Sequence, residues 1–261
     1  MGVICVFVNQ KGGVGKTTSA INIGAFLAEA GKSVLLVDFD AQGNLTSGIG
    51  VNPPRPGIYE LLSGTAAADQ ATRKTAVTNL EVIPASIDLS GAAVELIDQK
   101  ERNFFLRKAL SPIKDRYDFI MIDCPPSLGQ LTMNGLAAAD LVLIPMQCEY
   151  FAMEGLKQLL HTTRLIQKNL NPSLRIGGIF FTMYDPRTRL ANDVIKHVSA
   201  IYKDTVFNTI IPRNIRLSEA PSYGMPISLY DGQCPGARAY YALSQELLRR
   251  RLDNTGGSNG A

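Results

Sequence analysis

Short runs of apolar residues alternate along the chain with longer segments in which apolar residues recur at helical spacing. The short runs are typical of buried strands, and the longer period is typical of amphipathic helices. The runs predict strands at 3–8, 33–37, 80–84, 119–123, 141–145, 175–182 and 206–211. The helical period predicts helices at 18–30, 57–63, 87–98, 102–110, 155–168, 188–202 and 236–252. Such alternation indicates an α/β fold with a twisted, mostly parallel sheet and helices on both faces.

The alternation continues along almost the whole chain without a repeat or an interior linker. The 261 residues, 46% of them hydrophobic, can bury one core of α/β size. We therefore assign residues 1–252 to a single domain. Residues 253–261, DNTGGSNGA, form a tail rich in glycine and asparagine that we expect to be disordered.

Charge and cysteine usage narrow the possible partners and compartments only slightly. A net charge of +3 permits DNA or an anionic membrane as a partner and requires neither. The cysteines at positions 5, 124, 148 and 234 include no C-x-x-C pair, so we expect reduced thiols. The sequence has no signal-peptide pattern and no apolar stretch near the ~20 residues of a membrane span. The prediction is a cytoplasmic protein without stable membrane insertion.

The first predicted strand runs into a glycine-rich segment, NQKGGVGKTT, at 9–18. Closely spaced glycines let the backbone curl around an anion, so that successive N–H groups converge on it at a helix N-terminus. A strand, a glycine loop, a Lys-Thr pair and a helix are together the context of a phosphate-binding P-loop. In that context Lys16 reaches the β- and γ-phosphates of a nucleotide, and the Thr17 hydroxyl ligates Mg²⁺.

Three aspartates follow predicted strands, at the edge where open α/β sheets bind ligands. Asp38 and Asp40 come at the end of the second strand, and Asp123 closes the apolar run FIMID. An apolar run that ends in aspartate downstream of a P-loop is the Walker B arrangement, in which the carboxylate holds Mg²⁺. We therefore predict magnesium binding by Thr17, Asp38 and Asp123. For Asp38, a structural contact with the P-loop is the alternative.

The segment KGGVGKTT resembles the deviant Walker A motif of the ParA/MinD ATPases, in which an extra lysine, here Lys11, precedes the glycine pair. This variant accounts for Gln10, which stands where the usual P-loop pattern has a glycine. Over about residues 3–247, further segments resemble the chromosomal ParA proteins often called Soj: LLVDFDAQGN, IDCPPSLG, PMQCEYFAMEGL and IIPRNIRLSEAPSYG. The resemblance implies a P-loop NTPase fold that uses ATP and Mg²⁺.

The resemblance also implies roles for individual residues. Lys11 reaches across a dimer interface to the partner's phosphates, Asp40 positions the attacking water, and the implied catalytic residues are Lys11, Lys16 and Asp40. The implied nucleotide contacts are Lys11, Gly12, Gly13, Val14, Gly15, Lys16, Thr17, Thr18, Pro212, Arg213 and Asn214, the last three near the adenine. The candidate DNA contacts are Arg187 and Arg216 by resemblance, with Arg189 and Lys196 added by charge. A plain strand-to-helix loop at 212–214 and a solvated helix face remain the alternatives.

The family implies a weak ATPase that forms a homodimer around two ATP molecules and binds double-stranded DNA non-specifically in that state. A ParB-like partner stimulates hydrolysis and releases the dimer, which serves chromosome or plasmid segregation and places the ATP-bound protein on the nucleoid. The rival hypotheses are a MinD-like membrane ATPase of cell-division positioning, a nitrogenase-type iron protein, a P-loop kinase and a non-enzymatic ATP-gated scaffold. The C-terminal LLRRRL is too short for a membrane-inserting face, and the cysteines do not match an iron-cluster pattern.

Overall fold

The computed structural model describes residues 2–52, 55–95, 99–150 and 152–256. Its strands are β1 (Val3–Phe7), β2 (Val34–Asp38), β3 (Arg73–Lys74), β4 (Leu80–Ile83), β5 (Phe119–Asp123), β6 (Leu141–Gln147) and β7 (Arg175–Thr182). They form one sheet in the order β3-β4-β2-β5-β1-β6-β7. Every neighbouring pair is parallel except the short pair β3–β4 at one edge, which is antiparallel. The predicted mostly parallel sheet is confirmed.

Helices occupy most of the connections between the strands. They are α1 (Lys16–Glu29), α2 (Asn44–Gly48), α3 (Ile58–Leu62), α4 (Ala68–Ala71), α5 (Leu89–Glu95), α6 (Phe105–Leu110), α7 (Gln130–Ala138), α8 (Ala152–Asn169), α9 (Arg189–Tyr202), α10 (Ile215–Glu219), α11 (Ile227–Asp231) and α12 (Pro235–Gly256). Single 3₁₀ turns lie at Lys114–Arg116, Lys203–Thr205 and Ala220–Tyr223. Among the described residues, no helix is both long enough and apolar enough to cross a membrane.

The core forms two layers, one on each face of the sheet. Because side chains alternate along a strand, Val6 and Ile122 point into one layer, whereas Phe7 and Met121 point into the other. The first layer is completed from the helices by Ile58, Leu106, Leu131, Leu156 and Val194. The second layer is completed by Ile21, Leu45, Leu217, Ile227 and Leu243. Helices on both faces are therefore confirmed, and the site described below lies where the parallel strands end.

The strand predicted at 206–211 does not form. The segment makes only isolated bridges to its neighbours, Val206 with Ile179 and Pro212 with Tyr184. Between these bridges its backbone leaves the sheet, because the N–H groups at 208 and 209 donate to the side chain of Glu246 instead of to a strand. An apolar, β-branched run predicts burial here correctly but not ladder pairing.

Several boundaries also differ from the prediction. α1 begins at Lys16, two residues earlier than expected, because the P-loop passes directly into the helix. α12 continues to Gly256, four residues into the predicted tail, and residues 257–261 lie outside the described residues. The helix predicted at 87–98 is observed only over Leu89–Glu95, and residues 96–98 likewise lie outside.

The strand register brings distant acids together. Asp123, at the end of β5, is the register partner of Asp38 on β2. On its other side, Asp123 is the register partner of Phe7 on β1. The P-loop that follows β1 therefore leaves the sheet beside both aspartates.

Candidate nucleotide-binding site

The segment between β1 and α1 is a tight loop that two glycines make possible. Gly13 has a φ of 72° and Gly15 a φ of 86°, in the left-handed region that other residues rarely adopt. Gly15 is the residue immediately before α1. A Cβ atom placed on Gly12 or Gly13 would meet nothing within 4 Å, so the loop borders open space. An anion can therefore approach the backbone at the N-terminus of a buried helix.

Polar side chains at the ends of β6 and β7 form hydrogen bonds with the loop on its side facing the sheet. Thr182 donates its hydroxyl to the Val14 carbonyl at 2.9 Å, and Gln147 donates its amide to the Gly13 carbonyl at 3.1 Å. Asn9 donates to the carbonyl of Pro145 at 2.7 Å. These bonds fix two loop carbonyls towards the sheet and so give the loop a defined shape.

A cluster of buried charges lies beside the loop. Lys16 and Asp123 are almost fully buried, at 7% and 1% exposure. Burial lowers the pKa of Lys16, while the nearby Asp123 charge raises it. Burial raises the pKa of Asp123 to about 8, and the charge of Asp38 adds to this rise, whereas contacts with Thr17 and Lys16 lower it. The cluster therefore holds more acidic than basic groups, and a bound cation would favour their ionised form.

The Asp123 carboxylate fits a magnesium ion. Its Oδ1 atom is buried and has no hydrogen-bond partner, while the carboxylate also contacts Thr17. An unpaired buried carboxylate oxygen is costly unless a ligand reaches it. Within the described part of the chain, no group of three or more histidine, cysteine or acidic side chains is arranged to hold a metal. Mg²⁺ needs no such group, because it binds through one or two protein ligands, phosphates and water.

Asp38 is less suited to the magnesium role predicted from the sequence. Its Oδ2 atom accepts the backbone N–H and the hydroxyl of Thr46, at 2.8 and 2.7 Å, and its Oδ1 atom accepts the N–H of Asp40 at 3.3 Å. Burial raises the pKa of Asp38 to about 6, although the bonds from Thr46 lower it. Both oxygens thus serve protein donors, which favours a structural role that ties the end of β2 to α2.

Asp40 lies at the mouth of the same cluster. It is half-buried, its Oδ1 atom accepts the N–H of Gln42 at 3.1 Å, and its charge acts on both Lys16 and Asp123. Of the two acids at the end of β2, Asp38 is therefore buried in the core and Asp40 lies on the open side of the site. A half-buried carboxylate on this side can orient a water molecule.

Lys11 is held by its own chain. Its ammonium donates to Gln147 at 3.0 Å and to Glu149 at 2.5 Å, and the lysine and glutamate side chains are about half exposed. Because Gln147 also donates to the Gly13 carbonyl, this one residue contacts both Lys11 and the loop. Sequence reasoning did not identify Gln147 and Glu149 individually. The only signal was their place directly after an apolar strand, in the segment PMQCEYFAMEGL.

The segment at 212–214 leaves the sheet next to β7. Tyr184 donates its N–H to the Ile211 carbonyl at 3.0 Å, and Arg213 donates its N–H to the Tyr184 carbonyl at 2.9 Å. The Oδ1 atom of Asn214 is buried and has no hydrogen-bond partner. An amide oxygen of this kind is an acceptor that lacks a donor, and the exocyclic amine of adenine is one such donor. Pro212 lies beside it, half-buried.

The three arginines predicted to bind DNA lie outside the phosphate loop, on the protein surface. Arg187 is 87% exposed and pairs with Asp185 at 2.7 Å, and Arg189 is 96% exposed at the start of α9. Arg216, on α10, pairs with Glu219 at 2.9 Å. The bridge between residues 184 and 212 sets the segments that lead to α9 and α10 side by side. Each of the three guanidinium groups has an acidic partner on the surface.

A glycine loop between a buried strand and a helix, a buried lysine at the start of that helix and a buried aspartate with one unpaired oxygen at the end of a neighbouring strand together define a P-loop NTPase. A family model described as an AAA domain matches residues 1–176. The chain is 62% identical over 250 residues to the chromosome-partitioning ATPase Soj of Treponema pallidum, covering 96% of this chain and 98% of that protein. It is 52% identical over 249 residues to the sporulation initiation inhibitor protein Soj of Bacillus subtilis, covering 95% and 98%.

A solved structure extends the comparison to three dimensions. The crystal structure of a cobyrinic acid a,c-diamide synthase from Mycobacterium smegmatis, with bound ADP and magnesium, matches with a TM-score of 0.85 and 38% identity. The match covers 97% of each chain. Together with the Soj relatives, these findings show that the chain belongs to the ParA/Soj family of chromosome-partitioning ATPases. The family resemblance that the motifs indicate is confirmed.

Proposed function

We propose that this protein is a Mg²⁺-dependent ATPase of DNA partition, and that ATP converts it into a dimer which binds DNA without sequence preference. Hydrolysis, stimulated by a ParB-like partner, releases the dimer from DNA during chromosome or plasmid segregation. The observation that carries the proposal is the joint presence of Lys11, the glycine loop and the unpaired Asp123 carboxylate at one edge of the sheet. Relatives that are 52–62% identical and carry the name Soj support the partition role.

ATP fits the site through the glycine loop and through residues 212–214, the base segment. Loop N–H groups and Lys16 would hold the phosphates, and Asn214 would accept a hydrogen bond from the adenine. Thr17 and Asp123 would hold Mg²⁺, which neutralises charge on the β- and γ-phosphate oxygens when bound. A related structure that contains ADP and magnesium supports this assignment. Asp40 would orient the water that attacks the γ-phosphate, a reaction that needs alignment more than covalent help.

Lys11 provides the link between nucleotide and dimer. In the single chain its ammonium rests on Glu149 and Gln147, both at the rim of the site. We infer that the ammonium leaves these partners when a second chain brings an ATP molecule within reach. A lysine that bonds the partner's phosphates makes dimerisation depend on ATP, because without the triphosphate its positive charge has no new partner.

The exposed arginines supply the DNA-binding surface of the proposed dimer. Arginine side chains that contact phosphates give binding that is independent of sequence and falls steeply with salt. Arg187 and Arg216 lie on adjoining segments, and Arg189 follows on α9. Each has an acidic neighbour on the surface, so DNA phosphates would compete with carboxylates for the guanidinium groups.

Two measurements on the purified chain test the nucleotide part of this proposal. Phosphate release from ATP should require Mg²⁺ and stop when EDTA removes it, and light scattering should detect a dimer with ATP but not with ADP. The Lys11→Ala variant should remain a monomer with ATP, while Lys157→Ala, which changes an exposed lysine on α8, should dimerise normally. Dimerisation of Lys11→Ala at wild-type ATP concentrations would contradict the proposed role of Lys11.

A further inference from the structure

A buried glutamate on the last helix connects that helix to the base segment. Glu246 lies on α12 and is only 7% exposed. Its Oε1 atom accepts the N–H of Asn208 at 2.8 Å, and its Oε2 atom accepts the N–H and the hydroxyl of Thr209 at 3.0 and 2.8 Å. One carboxylate therefore binds two consecutive backbone N–H groups.

A regular strand beside β7 would have paired alternate N–H groups of this segment with β7. Phe207 donates to the Ile179 carbonyl and Ile211 donates to the Phe181 carbonyl, both at 2.8 Å. Four residues of the segment thus span two residues of β7, whereas a parallel ladder matches them one to one. The intervening backbone bulges away from β7, and Glu246 accepts the donors that the bulge leaves without a strand partner.

Arg250, one helical turn after Glu246, completes the attachment. Its guanidinium donates to the Glu246 carboxylate at 3.0 Å and to the carbonyls of Asp204 and Val206 at 3.0 and 2.6 Å. It also lies 4.1 Å from the centre of the Phe207 ring. Although burial raises the pKa of Glu246, the hydrogen bonds from the segment and from Arg250 lower it overall, so the acid is ionised. The positive charge of Arg250 compensates the buried negative charge of Glu246.

Phe207 also packs against a glycine of β7. A Cβ atom on Gly178 would lie 2.2 Å from the Phe207 ring, so the aromatic ring packs directly on the backbone of β7. Phe207 is thereby fixed between β7 and Arg250, and only the bulge after it depends on Glu246. The bulge ends at Ile211, and residues 212–214 follow at once.

We propose that Glu246 is a positioning residue for the base segment 212–214, so that α12 determines how well the protein distinguishes adenine from other bases. The inference rests on the proposed function, which assigns the base to this segment. Without the carboxylate, the N–H groups at 208 and 209 lose their acceptor and the bulge relaxes. Pro212 and Asn214 are then held only by the backbone bonds of Ile211 and Arg213, and their distance from the glycine loop, which Glu246 does not touch, is less well defined.

The test compares ligands that have and lack a base. Calorimetry would measure the dissociation constants of ATP, GTP and inorganic tripolyphosphate, each with Mg²⁺, for the wild type and for Glu246→Gln. A glutamine presents an amide where Thr209 needs an acceptor, so ATP should bind about tenfold more weakly. The preference for ATP over GTP should fall by a similar factor, and tripolyphosphate should bind as before. A merely structural glutamate would affect all three ligands equally.

Three further variants make the result decisive. Thr209→Val removes only the hydroxyl bond to Glu246, so it should lower the preference for ATP over GTP by a smaller factor. This variant tests the inference even if Glu246→Gln fails to fold. Glu154→Gln, at an exposed site on α8, should change nothing. Asn214→Ala should lower the ratio, as the proposed function requires.

The outcomes separate this inference from the proposed function. An unchanged ratio in Glu246→Gln and Thr209→Val, with a lowered ratio in Asn214→Ala, would overturn the positioning role alone. Equal weakening of ATP and tripolyphosphate in both Glu246→Gln and Thr209→Val would overturn it as well. Equal affinity of the wild type for ATP, GTP and tripolyphosphate would overturn the base assignment and this inference with it.

Discussion

At the scale of single residues, the site depends on buried charges that do not fully compensate one another. Burial pushes the pKa of Asp123 up to about 8 and that of Lys16 down, so both groups are costly in the absence of a ligand. Neighbouring hydrogen bonds serve Asp38 but leave one oxygen of Asp123 unpaired. The fold thus maintains an incomplete site that a magnesium nucleotide would complete.

Asp40 lies on the open side of this cluster, and its loss should separate binding from hydrolysis. In Asp40→Ala, phosphate release should fall by about a hundredfold or more, the range associated with positioning and general-base groups. ATP binding should persist because the loop and Lys16 are intact, and the ATP-bound dimer should accumulate. Asp115→Ala is a matched control, because Asp115 is exposed just before β5, at the amino ends of the strands and away from the nucleotide site. A variant of Asp40 that hydrolyses ATP at the wild-type rate would contradict the assigned role.

Glu149 holds Lys11 in the single chain, so its removal should favour the dimer. In Glu149→Gln the ion pair at Lys11 is lost, and the ATP concentration for half-maximal dimerisation should fall by up to about fivefold. The effect is small because an exposed ion pair contributes up to about 1 kcal/mol. Light scattering across an ATP titration measures it, with Glu154→Gln as the control. A higher ATP requirement in Glu149→Gln would show that the glutamate assists the dimer instead of competing with it.

The residues that a local motif contains could be predicted, and those that act across the fold could not. Lys16, Thr17 and Asp123 follow from short patterns beside predicted strands, and the structure brings them together. Thr46 and Glu246 could not be found in this way. Thr46 is eight residues from Asp38 on a helix of five residues, and Glu246 bonds a segment 37 and 38 residues earlier in the chain.

At the scale of elements, the sheet was predictable because buried parallel strands are nearly continuous apolar runs. The run at 206–211 shows the limit of that reasoning. Burial of Val206, Phe207 and Ile211 gives it the composition of a strand, yet the backbone between them follows the Glu246 carboxylate. An apolar composition indicates that a segment is buried. Whether the segment also pairs as a strand depends on whether its backbone N–H groups have another acceptor, here Glu246.

The adjoining segments that lead to α9 and α10 carry the candidate DNA contacts. Alanine at Arg187 and Arg216 should weaken binding to any duplex, and each substitution should reduce the slope of log affinity against log salt by about one. ATP-dependent dimerisation should be unaffected, since neither residue touches the loop in this structure. Arg164→Ala, at an exposed position of α8, is the control. Loss of dimerisation together with DNA binding would place these arginines at the dimer interface instead.

At the scale of the whole molecule, two core layers fix a sheet whose carboxyl edge carries the residues proposed to bind the phosphates and Mg²⁺. The P-loop follows β1, the two acids close β2 and β5, and the residues that anchor the loop end β6 and β7. Lys11 and the three arginines occupy exposed positions around these elements. A nucleotide site with exposed cations around it suits the proposed switch, in which ATP assembles the DNA-binding surface.

The central claim is that ATP, and not ADP, creates a DNA-binding state. Fluorescence anisotropy of a labelled random-sequence duplex tests it most directly, with Mg²⁺ and either no nucleotide, ADP or ATP, at two salt concentrations. The account predicts binding with ATP alone, and a steep loss of that binding at the higher salt concentration. Equal binding in all three nucleotide states would contradict the switch. Absence of binding in every state, together with ATP-dependent binding to anionic liposomes, would contradict the DNA role and favour the MinD-like alternative.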